Sequence, residues 1–248
     1  DEVHGITDLA GVPFDARTPG ATWSYTLADT LAPQITQMTP VAGAQVSRLT
    51  QVEVTFSEPV RGVNAADLLV NGQPAVTVLG SEAGPYLFEF SQPVDGAIQF
   101  AWATGHGITD TATSPNTFVD SNWTVTLNSA LVPGDVVINE FVAANLSGLL
   151  DEDATAQDWI ELYNRGTTSV SLLGWSLTDD KDVPGLWVFP ARTLAPGEYL
   201  VVFASGKDRR SPVGSNRYHT NFKLNNYGEY LALFNPESPR VAASEFAP

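Results

Sequence analysis

The chain contains no cysteine. That excludes disulfides, thiolate nucleophiles and cysteine-based zinc sites, and it leaves the compartment open, since domains of about 100 residues fold without cross-links. Basic residues are scarce: 12 Lys+Arg stand against 28 Asp+Glu, for a formal net charge of −16. A surface this acidic repels phosphate backbones and anionic membranes, so the expected partners do not include nucleic acid. The longest apolar runs are of strand length, such as Tyr199 to Ala204, so no direct membrane insertion is expected. No signal peptide is recognisable and the first residue is Asp1, which reads as an excised piece of a longer protein. No segment longer than about ten residues carries a 3.6-residue period, so helices should be few and short. HExxH, a His pair at helical spacing, GxSxG and a phosphate-loop lysine are all missing, which leaves no standard hydrolase or nucleotide-binding signature.

What is present is apolar and evenly punctuated. Hydrophobic residues make up 43% of the chain, enough for packed cores, and 17 Pro and 20 Gly suit short strands joined by turns. An internal repeat sets the organisation. HGITD occurs at His4 to Asp8 and at His106 to Asp110, and each copy leads through a loop with Pro and Phe to a strand opened by Trp, at Trp23 and Trp123. The offset is 102 residues at the His (4 to 106) and 100 at the Trp (23 to 123). This period suits tandem β-sandwiches. The expected division is residues 1–31 as the last loop and strand of a preceding repeat, 32–131 as one complete module, and 132–248 as a second. The orphan strand Trp23 to Leu27 is expected to add to a sheet edge.

Period-2 alternation places strands at Val52 to Phe56, Ala75 to Leu79, Tyr86 to Phe90, Ile98 to Ala103 and Trp123 to Leu127. In the second module they fall at Val136 to Ile138, Trp159 to Tyr163, Val170 to Leu173, Leu186 to Phe189, Tyr199 to Phe203 and Tyr230 to Phe234. Asn71-Gly72 and Asp95-Gly96 are turn signals.

Two resemblances follow from motifs. Thr50 to Asn71, with the core VTFSEPV, resembles bacterial Ig-like repeats related to those of S-layer proteins. The second module resembles the lamin-tail domain over Val136 to Pro236. The motifs occur in order: VVINEF from Val136, DWIELYN from Asp158, LLGWSLTDD from Leu172, WVFP from Trp187, LAPGEYLVVFASG from Leu194 and HTNFKLNNYGEYLALFNP from His219. The resemblance implies an Ig-like β-sandwich, so the expected class is all-β with two tandem sandwiches. Trp159, Leu162, Trp175 and Phe189 are spaced to fill its core. The function implied is structural and adhesive, with no catalysis, in a large exported or cell-surface bacterial protein whose partner is a protein or a surface polysaccharide.

Three clusters could carry chemistry. Asp151, Asp153 and Asp158 lie at near-alternate positions on an acidic loop and could converge on Ca²⁺, the one cofactor suggested; a solvated acidic turn is the other reading. Trp102, Trp187, Tyr218 and Tyr227 are candidate sugar-stacking rings, for the alternative of a carbohydrate-binding accessory module of a secreted hydrolase. Lys207, Arg209 and Arg210 form the one basic run, and Ser205-Gly206 reads as a turn, not a nucleophile.

Overall fold

The computed structural model describes residues 6–15, 17, 28–119, 121–210 and 217–247. His4 and the expected strand Trp23 to Leu27 lie outside the described residues. Among those described, the only helical elements are single 3-10 turns at Ala65–Asp67 and Pro133–Asp135, and no helix is long and apolar enough to cross a membrane. The protein is all-β.

The first sandwich stacks two sheets. One orders Ile35–Thr39, Gln51–Phe56, Tyr86–Glu89 and Thr77–Leu79, and the other orders Gln45–Val46, Trp123–Leu127, Gly96–Trp102, Leu68–Val70 and Gln73–Pro74. Alternation in Gln51–Phe56 sends Val52, Val54 and Phe56 inward, where they meet Ile98, Phe100 and Val125 from the facing sheet. Each such side chain contributes about 1.5–3 kcal/mol on burial. Asn71 (φ 50°) and Gly72 (φ 78°) both adopt the left-handed conformation needed to turn Leu68–Val70 tightly into Gln73–Pro74. The first strand of the second sheet, Gln45–Val46, runs parallel to its last in sequence, Trp123–Leu127, with Gln45 opposite Thr126 and Val46 opposite Leu127.

The Ile-Thr-Asp part of the HGITD motif makes the same turn at both copies. At the second copy Thr109 bridges Thr117, Phe118 N donates to Ile108 O, and Asp110 Oδ1 accepts from Ala112 N. At the first, Thr7 bridges Pro13, Phe14 N donates to Ile6 O, and Asp8 Oδ1 accepts from Ala10 N.

The second sandwich has a separate core. One sheet orders Val136–Val142, Trp159–Asn164, Tyr199–Phe203 and Tyr218–His219; the other orders Trp187–Val188, Ser176–Thr178, Leu231–Phe234 and Ala242–Phe246. Leu162, Trp175 and Phe189 are core residues. Trp159 is not. The period of two puts Ile160, Leu162 and Asn164 inside, so Trp159 shares the outer face with Glu161 and Tyr163. In the Asn225–Gly228 turn only Gly228 (φ 94°) has a positive φ.

Candidate functional site

One group of charged residues in the second sandwich joins three chain segments. The acidic loop is closed by a bridge between Leu150 and Ala156, and Asp151 Oδ1 shapes it by accepting from Asp153 N (2.9 Å) and Thr155 N (3.0 Å). Against it lies the loop after Tyr199–Phe203. Lys207 Nζ reaches Asp151 Oδ2 (2.5 Å) and Asp153 Oδ2 (2.6 Å), and Arg209 spans Asp153 (2.7 Å) and Glu152 (2.5 Å). From Tyr218–His219, His219 Nε2 meets the Glu152 carboxylate at 2.9 Å, and its Nδ1 meets Ser205 Oγ at 2.7 Å.

The charges respond to these contacts. Burial alone would raise Glu152, but hydrogen bonds from His219, its own backbone N–H and Arg209 outweigh it and hold the carboxyl at about 2. Hydrogen bonds from Arg209 and Lys207 hold Asp153 at about 2. Asp151 is pushed up by burial and brought below its ordinary value by Lys207 and the two backbone donors.

Of the three candidate calcium ligands, the structure brings two together and leaves the third apart. Asp151 and Asp153 converge, but on an ammonium of the protein itself. Asp158 stands apart, with Oδ1 accepting from Ala144 N (2.8 Å) and Asn145 N (2.9 Å). Lys207 and Arg209 of the basic run are the other half of this network. The third member of the run, Arg210, pairs with Asp208 at 2.8 Å and lies over the Trp187 ring. We expect calcium followed by EDTA to leave the melting midpoint of this sandwich unchanged, since Lys207 and Arg209 together already pair with Asp151 and Asp153. A rise abolished by Asp153→Ala would mean that the metal displaces Lys207.

Of the four candidate sugar-stacking rings, the structure buries three. Trp102 (5% exposed), Trp187 (0%) and Tyr218 (6%) are core residues, and only Tyr227 (93%) is a surface ring. Large rings at these positions fill sandwich interiors: Trp187 packs on Phe189, with centroids 4.7 Å apart, and donates Nε1–H to Asp208 at 3.0 Å. His106 is structural, its Nδ1 accepting from Ile108 N.

Ser205, His219 and Glu152 have the residue types of a nucleophilic relay, and the sequence reading missed the arrangement because HTNFKL and ASG looked like turn and strand motifs. Ser205 is 5% exposed and His219 0%, and the serine oxygen also accepts from Lys207 N (3.3 Å), so the relay is closed to substrate. What it does chemically is fasten three segments together.

A second carboxylate group lies on the first sandwich. Asp29, Glu58 and Asp110 bring oxygens within 4.8 Å of one another. Asp110 has no exposed surface and is held below its ordinary value, against the effect of burial, by hydrogen bonds from Asn116 and Ala112. Glu58 is raised by partial burial and by the charges of Asp29 and Asp110.

Residues 129–246 match the family described as the Lamin Tail Domain. No curated protein matches the chain. The lamin-tail region thus includes both the paired acidic and basic loops and the buried Ser–His–Glu relay. It is an Ig-like domain, and its fold suits a non-catalytic interaction module.

Proposed function

We propose that the chain is a non-catalytic structural and adhesive module pair of a large exported or cell-surface bacterial protein, with residues 32–131 as an Ig-like repeat of S-layer-associated type and residues 132–248 as its lamin-tail partner. The observation that carries this reading is the turn at Ile6 to Asp8 made again at Ile108 to Asp110, about 100 residues apart, as in a tandem array. Such an array spaces and presents domains, and it engages a protein or a surface polysaccharide through its surface. The closed relay supports the absence of catalysis.

Two measurements test the proposal. An antibody raised against the chain should label intact producing cells or the culture medium; labelling only after permeabilisation overturns the exported role. Hydrolysis of p-nitrophenyl acetate should be no faster with the protein than with its Ser205→Ala variant; a rate lost in that variant overturns the non-catalytic reading.

The alternative of a carbohydrate-binding accessory module retains Tyr227 alone of its four rings. We expect gel retardation by soluble polysaccharides to be absent and unaffected by Tyr227→Ala. Retardation that this variant abolishes would restore the alternative.

A further inference from the structure

Between the two cores lies a seam made by side chains from residues 190 positions apart. After Leu231–Phe234 the chain turns sharply, because Asn235 Oδ1 accepts from Glu237 N (3.2 Å) and Val241 N (2.9 Å). The turn carries Glu237 into the first sandwich. There a single oxygen, Oε1, accepts from Ser47 N (3.0 Å), Ser47 Oγ (2.5 Å) and Arg48 N (3.2 Å). Glu237 is 6% exposed, and no cation is paired with it among the described residues; its charge is met by backbone N–H groups and a hydroxyl held in place by the Gln45–Val46 strand. A buried carboxylate is tolerated only where such donors are already arranged.

Next along the turn, Ser238 Oγ accepts from Gln51 Nε2 (3.0 Å) and donates to Glu53 Oε1 (3.0 Å). Arg240 closes the turn from behind. Its Nη1 donates to Gly174 O (2.7 Å), Asn235 O (3.1 Å) and Ser176 Oγ (3.2 Å), and burial pulls its guanidinium down to about 10, opposed by the charge of Glu53.

The apolar fit is as close as the polar one. Gly174 has φ 83°, and a Cβ there would lie 2.8 Å from Val41 Cγ2 of the first sandwich and 3.0 Å from Pro236 Cβ. Asn235, Trp175 and Leu131 line a cavity of about 20 Å³ in the seam, room for roughly one water, and Asn235 Nδ2 has no partner among the described residues. The connecting segment is fastened too: Ser129 Oγ donates to Asp95 (2.8 Å), Asn128 N to Val46 O (2.9 Å), and Arg165 Nε to Gly134 O (2.8 Å). Freely jointed modules have exposed linkers with few contacts across them; this joint has the opposite character.

We propose that residues 235–240 of the lamin-tail region are a docking surface for the edge of an Ig-like module, and that the two sandwiches consequently form one stiff body of fixed orientation. The seam alone carries this inference, which stands whether or not the protein adheres to anything.

The absence of cysteine makes the test direct. Spin labels at Val94→Cys and Leu146→Cys, both on exposed positions, report the distance between sandwiches in the full chain. The expected result is one narrow distance distribution, broadened several-fold by Glu237→Ala and kept narrow by Glu237→Gln, whose Oε1 still accepts. Should Glu237→Ala fail to fold, Ser47→Ala with Gln51→Ala removes the two side-chain partners on the other side, leaves the backbone donors of Ser47 and Arg48, and is expected to broaden the distribution to a smaller extent. A broad distribution in the parent protein, or an unbroadened one in the folded variants, overturns the proposal.

Discussion

Trp187→Ala is expected to lower the stability of the second sandwich by about 4 kcal/mol, the usual cost of emptying a large aromatic site in a core. Trp187 is fully buried, packs edge-on against Phe189 and Tyr218, and holds Asp208 through its indole N–H. Removing it leaves a cavity and takes the partner from the loop that carries Lys207 and Arg209. For a domain of roughly 100 residues the melting midpoint should fall by about 15–30 °C. Calorimetry should show the loss in the second sandwich, with the first unfolding near its original temperature once released. A midpoint change of only a few degrees would show that the ring's neighbours collapse into the space.

His219→Ala should cost about 3 kcal/mol, because it opens a cavity beside Phe203 and takes one hydrogen-bond partner from each of Ser205 Oγ and the Glu152 carboxylate. Ser205→Ala should cost about 1 kcal/mol, since the imidazole keeps its bond to Glu152. If the two substitutions cost the same, the Glu152 bond contributes nothing. Acid titration examines the same network. The Glu152 carboxyl titrates at about 2 in the folded protein against 4.5 ordinarily, so the folded form holds its proton less tightly than the unfolded chain. The resulting stabilisation is complete above about 4.5 and is lost as the pH falls through about 2. Arg209→Ala, which removes one of the hydrogen bonds lowering Glu152, should move the acid-unfolding midpoint upward.

Much of the fold could be read from local pattern. Gln51–Phe56 and Trp123–Leu127 alternate with a period of two because one face is wet and the other is not. Ser176–Thr178 has no alternation, since all three of its residues are buried, and it went unrecognised. Ala242–Phe246, half exposed at a sheet edge, has too little apolar character to stand out. Trp159 shows the opposite error: ring size suggested core, while parity with Leu162 required the outer face. The site was legible as charges but not as pairs. Asp151 and Lys207 are 56 positions apart, and Glu152 and His219 are 67 apart, so neither the acidic loop nor the basic run could disclose that each was the other's counterion. The seam was hidden for the same reason, because nothing around Glu237 indicates that its donor partners belong to Ser47 and Arg48.

The parallel pairing of Gln45–Val46 with Trp123–Leu127 has a mechanical consequence. These are an early and the final strand of the first sandwich, and they lie side by side pointing the same way. Tension applied to the two ends of that sandwich pulls the strands past each other along their length. The rungs Gly43 N to Thr124 O, Thr126 N to Ala44 O and Asn128 N to Val46 O are then loaded together, not opened one after another as in a zipper. A sandwich strung this way resists stretching until the whole patch slips at once, so each repeat of such an array would be a link that yields abruptly and at high force.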